Sequence, residues 1–209
     1  MNRTQFAIFC LSVASCFSQA IAANLVTNGD FESIENTSRA VQTFGSNSQD
    51  LTGWIVGLNS VDLVSNSVWN SASGSYSLDL NGTKKGEIHQ FINTVNGQHY
   101  QLSFDLAGNF SDGLAIKTLS VNLGPNGIYK FDTRGKSASN MGWTHYTSTF
   151  VALSNSTTLS FLSNVRGNAG PALDNIAVTA VPEPETFAML MTGLGLMGAI
   201  ARRRNKTRA

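Results

Sequence analysis

The chain has 209 residues, a formal net charge of +1 and two cysteines. Between residues 24 and 180 it carries eight basic against eleven acidic side chains, so the positive balance comes from the two ends. That body lacks the basic face that nucleic-acid binding requires, which excludes nucleic acid as a partner.

Met1 to Ala23 fits a secretory signal peptide. Arg3 supplies the positive start, Phe6 to Val13 the apolar stretch, and Ala20-Ile21-Ala22 the small-residue cleavage pattern. A second reading of the same stretch is a lipidation site at Cys16, after Val13-Ala14-Ser15. Cys10 and Cys16 both lie inside this segment, so the exported chain is expected to have no disulfide and no thiol chemistry.

Residues 24–180 form one domain with room for a sizeable core. Their apolar runs are short and alternate with polar residues. In Gln98 to Ala107, Tyr100, Leu102, Phe104 and Leu106 share one parity, while Gln101, Ser103 and Asp105 take the other. That period of two predicts a half-buried strand. Similar runs are Val61–Val64, Tyr76–Leu80, Ile88–Ile92, Thr118–Leu123, Ile128–Phe131, Thr144–Val151, Leu159–Leu162 and Ala172–Val178. Asn81-Gly82, Asn96-Gly97, Gly124-Pro125-Asn126-Gly127 and Gly167-Asn168 punctuate them as turns. The body shows no helical pattern. Many short strands at this spacing predict an all-β fold, an antiparallel β-sandwich or jelly roll. Ser33 to Gly53, dense in polar residues, reads as the longest loop.

Residues 181–209 have three parts in a fixed order: Val181-Pro182-Glu183-Pro184-Glu185, an uncharged run from Thr186 to Ala201, and a basic end at Arg202, Arg203, Arg204, Lys206 and Arg208. The run is short for a relaxed membrane span of ~20 residues. The arginines read as a stop on the cytoplasmic side of the inner membrane.

Chemistry in the body starts from carboxylates. Asp30 and Glu32 flank Phe31 near the start; Asp174 shares strand parity with Ile176 and Val178 near the end. A carboxylate facing a core needs a partner. A strand-end cap, a distant cation or a hard metal ion would each serve, and the residues alone leave these open. Asp79 and Asp105 sit on the polar sides of their strands, as ligand contacts or, less plausibly, as a glycosidase pair. Trp69, in the polar stretch Ser65 to Ser71, reads as an exposed platform for a sugar face. Trp54 reads as core, Trp143 as a packing or edge residue. His89, His99 and His145 lack metal-ligand spacing and read as structural. No catalytic residue is assigned.

The tail, carried by Pro182, Glu183, Pro184, the run Phe187 to Ala201 and Arg202 to Arg204, closely resembles the PEP-CTERM sorting signal of Gram-negative bacteria. The resemblance implies a short transmembrane helix. It also implies handling by an exosortase, a membrane peptidase that cuts near Pro-Glu-Pro and releases or transfers the chain to the cell surface. The body's opening, Asn24 to Glu32, and its close, Leu173-Asp174-Asn175-Ile176, resemble the galactose-binding-like β-sandwich. Thr52-Gly53-Trp54, Val61-Asp62, Gly74 to Gly82 and Tyr100 to Asn109 are similar to the choice-of-anchor C family, and to a plant cell-wall domain family. The sandwich resemblance implies that the first and last strands meet and hold a structural Ca²⁺, here at Asp30, Glu32 and Asp174.

Together these readings lead to an exported, exosortase-sorted surface or matrix protein that is not an enzyme. Its expected partner is polysaccharide or biofilm matrix. The alternatives are a structural or adhesive coat protein without a small ligand, and a glycan-acting enzyme.

Overall fold

The computed structural model describes residues 23–34, 39–123, 127–182, 190–198, 200 and 203. The expected signal, with Cys16, lies outside them, as do Glu183, Pro184, Arg202 and Arg204 of the tail motif. Residues 190–198 are helical, and among the described residues no helix is long and apolar enough to cross a membrane.

Among the described residues, eleven strands form two antiparallel sheets. The six-stranded sheet contains β1 (Val41–Gly45), β3 (Ser60–Ser65), β4 (Tyr76–Asp79), β6 (His99–Gly108), β9 (Thr144–Val151) and β11 (Pro171–Ala180), in the order β1-β3-β4-β11-β6-β9. The five-stranded sheet contains β2 (Ile55–Leu58), β5 (Glu87–Asn93), β7 (Ile116–Asn122), β8 (Gly127–Asp132) and β10 (Ser156–Ser163), in the order β2-β5-β10-β7-β8. Pairing of the last strand with β4 and β6 places it at the centre of its sheet.

The alternation read in the sequence sets the layers. Tyr100, Leu102, Phe104 and Leu106 point inward from β6, and Leu159 and Phe161 point inward from β10. Between the sheets run aromatic contacts Phe31–Trp54, Trp54–Phe161 and Phe161–Phe104 with centroids 5.5–6.1 Å apart. Fully burying a side chain such as Leu or Phe contributes about 1.5–3 kcal/mol, and this shared core holds the domain without disulfides. Trp54 is core, and its indole Nε1 donates to Asn28 O at 3.0 Å. Lys117 is buried on the inner side of β7, its Nζ donating to Asp112 Oδ1 at 2.6 Å and Ala169 O at 2.9 Å.

Two strands were not expected. β1 falls inside the polar stretch 33–53, and only Phe44 of its five residues is buried. An edge strand needs little apolar character, because one partner suffices. β2 is four residues long and also lies at an edge.

The N-terminal segment lies against β11. Leu25 N donates to Val178 O at 2.9 Å, Val178 N to Asn24 Oδ1 at 3.0 Å, and Ile176 N to Gly29 O at 2.8 Å. The β11–β6 register shifts between Asp174 and Ala177, a bulge with Asn175 at φ 51°.

Candidate functional site

The bulge changes where Asp174 points. Leu173 is buried toward the core, so Asp174 stands on the outer face of the six-stranded sheet, opposite Asp105. The parity shared with Ile176 and Val178 is broken by the extra residue. Asp174 is nevertheless buried, because the 71–76 loop folds over it: Oδ2 accepts Ala72 N at 2.9 Å and Ser73 N at 3.1 Å, and Oδ1 accepts Asn175 N at 2.7 Å. Burial pushes its carboxyl up to about 7, against the pull of these amide bonds, with a further push from Asp105.

Glu32 grips the same loop. Its Oε1 accepts Ser75 N at 2.6 Å and Tyr76 N at 2.9 Å. Gly74 has φ 59°, and a side chain there would collide with this carboxylate. Asp30 does not join them. Residues 28–31 turn, with Asn28 at φ 53° and Phe31 at φ 58°, so strand parity does not apply there. Phe31 is buried in the core; Asp30 is exposed and lines a separate cleft with Asn24, Asn28 and Asn175. The three residues expected to hold Ca²⁺ therefore do not make one donor set. Glu32 and Asp174 spend their inner oxygens on amide N–H groups, and among the described residues no three His, Cys, Asp or Glu side chains are grouped to hold a metal.

Trp69 is a correction. It is 5% exposed, and its Nε1 donates to Ser77 Oγ at 2.9 Å on the outer side of β4. The polar residues around it serve to fold the loop back. Asn66 Nδ2 donates to Gly74 O, Asn70 N to Ala138 O, and Trp143 Nε1 to Asn70 O. Trp69 is therefore closed to a sugar.

Asp79 is a second correction. It stands on the outer face opposite Asp62, but it is only 1% exposed. Its Oδ1 accepts Asn81 N at 2.8 Å and Gly170 N at 3.0 Å, and Oδ2 accepts Asn109 Nδ2 at 2.7 Å. Burial pushes its carboxyl up to about 7, opposed by these bonds and aided slightly by Asp62. A residue so enclosed can neither contact a glycan nor pair with Asp105 across one. Asp105 lies near the surface, with Oδ1 2.7 Å from His145 Nδ1 and Oδ2 accepting Asn175 Nδ2 at 2.7 Å. It belongs to a polar network on this sheet.

The open surface is the outer face of the five-stranded sheet. One row across it runs Ile55, His89, Ser160 and Asn122 from β2 to β7. The next runs Glu87, Leu162, Ser120 and Ile128 from β5 to β8, with Asn164 Nδ2 donating to Ser120 Oγ at 2.7 Å. Phe91, opposite Thr158, is 63% exposed. The His89 ring meets it edge-on at 5.8 Å and 82°. Beside it opens a cleft of ≈ 280 Å³ lined by Gln49, Gly53, Trp54, Ile55, Gln90 and Phe91. Gln90 points the other way and is buried, bonding Thr27 and Gly53. The signal for Phe91 was present in the sequence: it is the apolar residue on the polar parity of β5.

The DUF642 family profile, described as a protein of unknown function, matches residues 24–179, and the PEP-CTERM protein-sorting motif matches residues 180–205. Halomucin of Haloquadratum walsbyi (strain DSM 16790 / HBSQ001) is 31% identical over 174 residues, covering 77% of this chain; the chain spans 2% of that protein's length. Among solved structures, TmCBM61 in complex with beta-1,4-galactotriose shares 14% identity at TM-score 0.48, over 77% of this chain and 100% of that one. The CBM22-1 xylan-binding domain from Paenibacillus barcinonensis shares 16% identity at TM-score 0.46, over 78% and 97%. The chain belongs to the DUF642 family, and its end carries the PEP-CTERM motif that directs exported proteins to the cell surface.

Proposed function

We propose that this chain is a non-catalytic polysaccharide-binding protein of the cell surface, acting on the cell's own exopolysaccharide or biofilm matrix. Its sorting motif sends it where such polymers are. The observation that carries the reading is Phe91: a large aromatic ring left open on the outer face of a sheet, with the His89 ring edge-on beside it. A pyranose presents an apolar face to such a ring, and the exposed amides and hydroxyl of Asn93, Asn122 and Thr158 suit its hydroxyls. The carboxylates argue against catalysis. Asp79 and Asp174 are enclosed, so neither is open to a bound glycan as an acid or base.

A glycan array with the purified chain tests this. Binding to one or a few related polymers, without release of reducing ends, is the expected result. A blank array would favour a structural or adhesive coat role, and reducing-sugar release would favour an enzyme.

A further inference from the structure

The body ends in a knob that the glycan face does not use. The loop between β5 and β6 (residues 94–98) and the loop between β9 and β10 (residues 152–155) are bonded into one unit. Thr94 N donates to Asn155 O at 3.1 Å and Thr94 Oγ1 to Ser154 O at 2.8 Å. Gly97 N donates to Ala152 O at 2.8 Å, and Ala152 N to Gln98 O at 3.0 Å. The knob is thus held firmly, yet it carries its aliphatic side chains outward. Leu153 is 82% exposed and Val95 58%, with Val151 exposed beside them.

Its charge pattern is equally one-sided. Neither Ile88 to Gln98 nor Tyr146 to Val165 contains a single Asp, Glu, Lys or Arg. Isolated exposed aliphatics need no explanation, but several on one uncharged, rigid tip mark a contact surface.

The tail leaves the body at this same tip. β11 finishes at Ala180, and Val181 N donates to His99 O at 2.9 Å, at the start of the strand that follows the first knob loop. In the sequence only Pro182 to Thr186 separate this point from the apolar run. Five residues reach at most ~18 Å when fully extended. While the run lies in the membrane, the knob cannot leave the neighbourhood of the bilayer surface.

We propose that the knob formed by Val95, Val151 and Leu153 is a foot that rests in the lipid interface while the tail is inserted, before the tail is cut. This rests on the sorting reading of the tail. An uncharged tip loses no ionic hydration on entering the headgroup boundary, and its aliphatics gain by leaving water. The foot holds the body upright, with Pro182 at a fixed height above the membrane, and the face bearing Phe91 is turned sideways and stays free.

The test uses the full chain with Cys10 and Cys16 replaced by serine, reconstituted through its tail into phosphatidylethanolamine–phosphatidylglycerol vesicles. An environment-sensitive fluorophore is placed at Leu153→Cys or, as the control, at Lys84→Cys. The foot predicts a blue-shifted label at 153, quenched by spin-labelled lipids at least twice as strongly as the label at 84. Equal, weak quenching in chains that float with the vesicles overturns the foot and leaves the tail reading intact. A chain that does not float overturns both. A blue shift at 153 without lipid quenching shows a protein partner there, a second copy for instance, and also overturns the proposal.

Discussion

Asp79 and Asn81 show what single residues do here. Asn81 Nδ2 donates to Val165 O and Gly167 O, which orients the amide and leaves Asn81 Oδ1 buried without a partner. A side chain at Gly170 would collide with that oxygen and with Asp79 Oδ1, so both border one point. With the Asp79 and Asp174 carboxyls at about 7, the folded chain holds protons between about pH 4 and pH 7 that the unfolded chain has released. Stability is therefore greatest at the acid end of that window and falls as pH rises through it. Melting should occur several degrees higher at pH 5.5 than at pH 8, and Asp79→Asn should shrink that difference; a melting temperature that rises from pH 5.5 to 8 contradicts this. The carboxylates at the chain's ends give a second prediction. Glu32 and Asp174 are spent on loop amides, so adding or chelating Ca²⁺ should leave the melting temperature within about 1 °C; a clear upward shift with Ca²⁺ would show that an ion displaces those amides.

At the scale of elements, the join between the N-terminal segment and β11 is a close backbone contact. A Cβ at Gly29 would run into Ile176 O, the neighbour of the amide that bonds Gly29 O. Gly29→Ala should destabilise the body by about 1–3 kcal/mol, the cost of overpacking a tight contact, measured by denaturant unfolding. Nine of the described strands were legible in the sequence, because short apolar–polar alternation bounded by turn residues marks them, most clearly in β5, β6 and β7. β1 and β2 were not, because edge strands bury little. The bulge at Asp174–Ala177 was also hidden: one extra residue reverses parity, and only pairing with β6 reveals it. Parity with Ile176 and Val178 would have turned Asp174 toward the core; it lies on the outer face instead, buried by the covering loop. Trp69 and Asp79 failed as ligand residues for a shared reason. Asp79 stands on the outer side of β4, Trp69 lies in the loop that packs against that side, and other segments close over both. Strand parity reports which side of a sheet a residue occupies. It does not report what lies on top.

At the scale of the whole molecule, the chain joins an open sheet face to a sorting tail. Pro182 and Pro184 cannot donate backbone hydrogen bonds, and the sorting motif they belong to implies cutting by an exosortase. Mass spectrometry of surface protein should therefore lack the peptide spanning Phe187 to Arg202, whereas its retention would mark a permanent anchor. The body matched DUF642, where the sequence had suggested the choice-of-anchor C family; the sandwich itself was anticipated. Phe91 is the residue on which the functional account turns, and its ring is exposed, so its removal should leave the fold intact. The direct measurement is calorimetric titration of the producing cell's exopolysaccharide into the wild-type and Phe91→Ala chains. Losing the stacked ring should weaken binding about tenfold, the equivalent of ~1.4 kcal/mol, with the melting temperature unchanged. Equal affinity in the two chains would contradict the account.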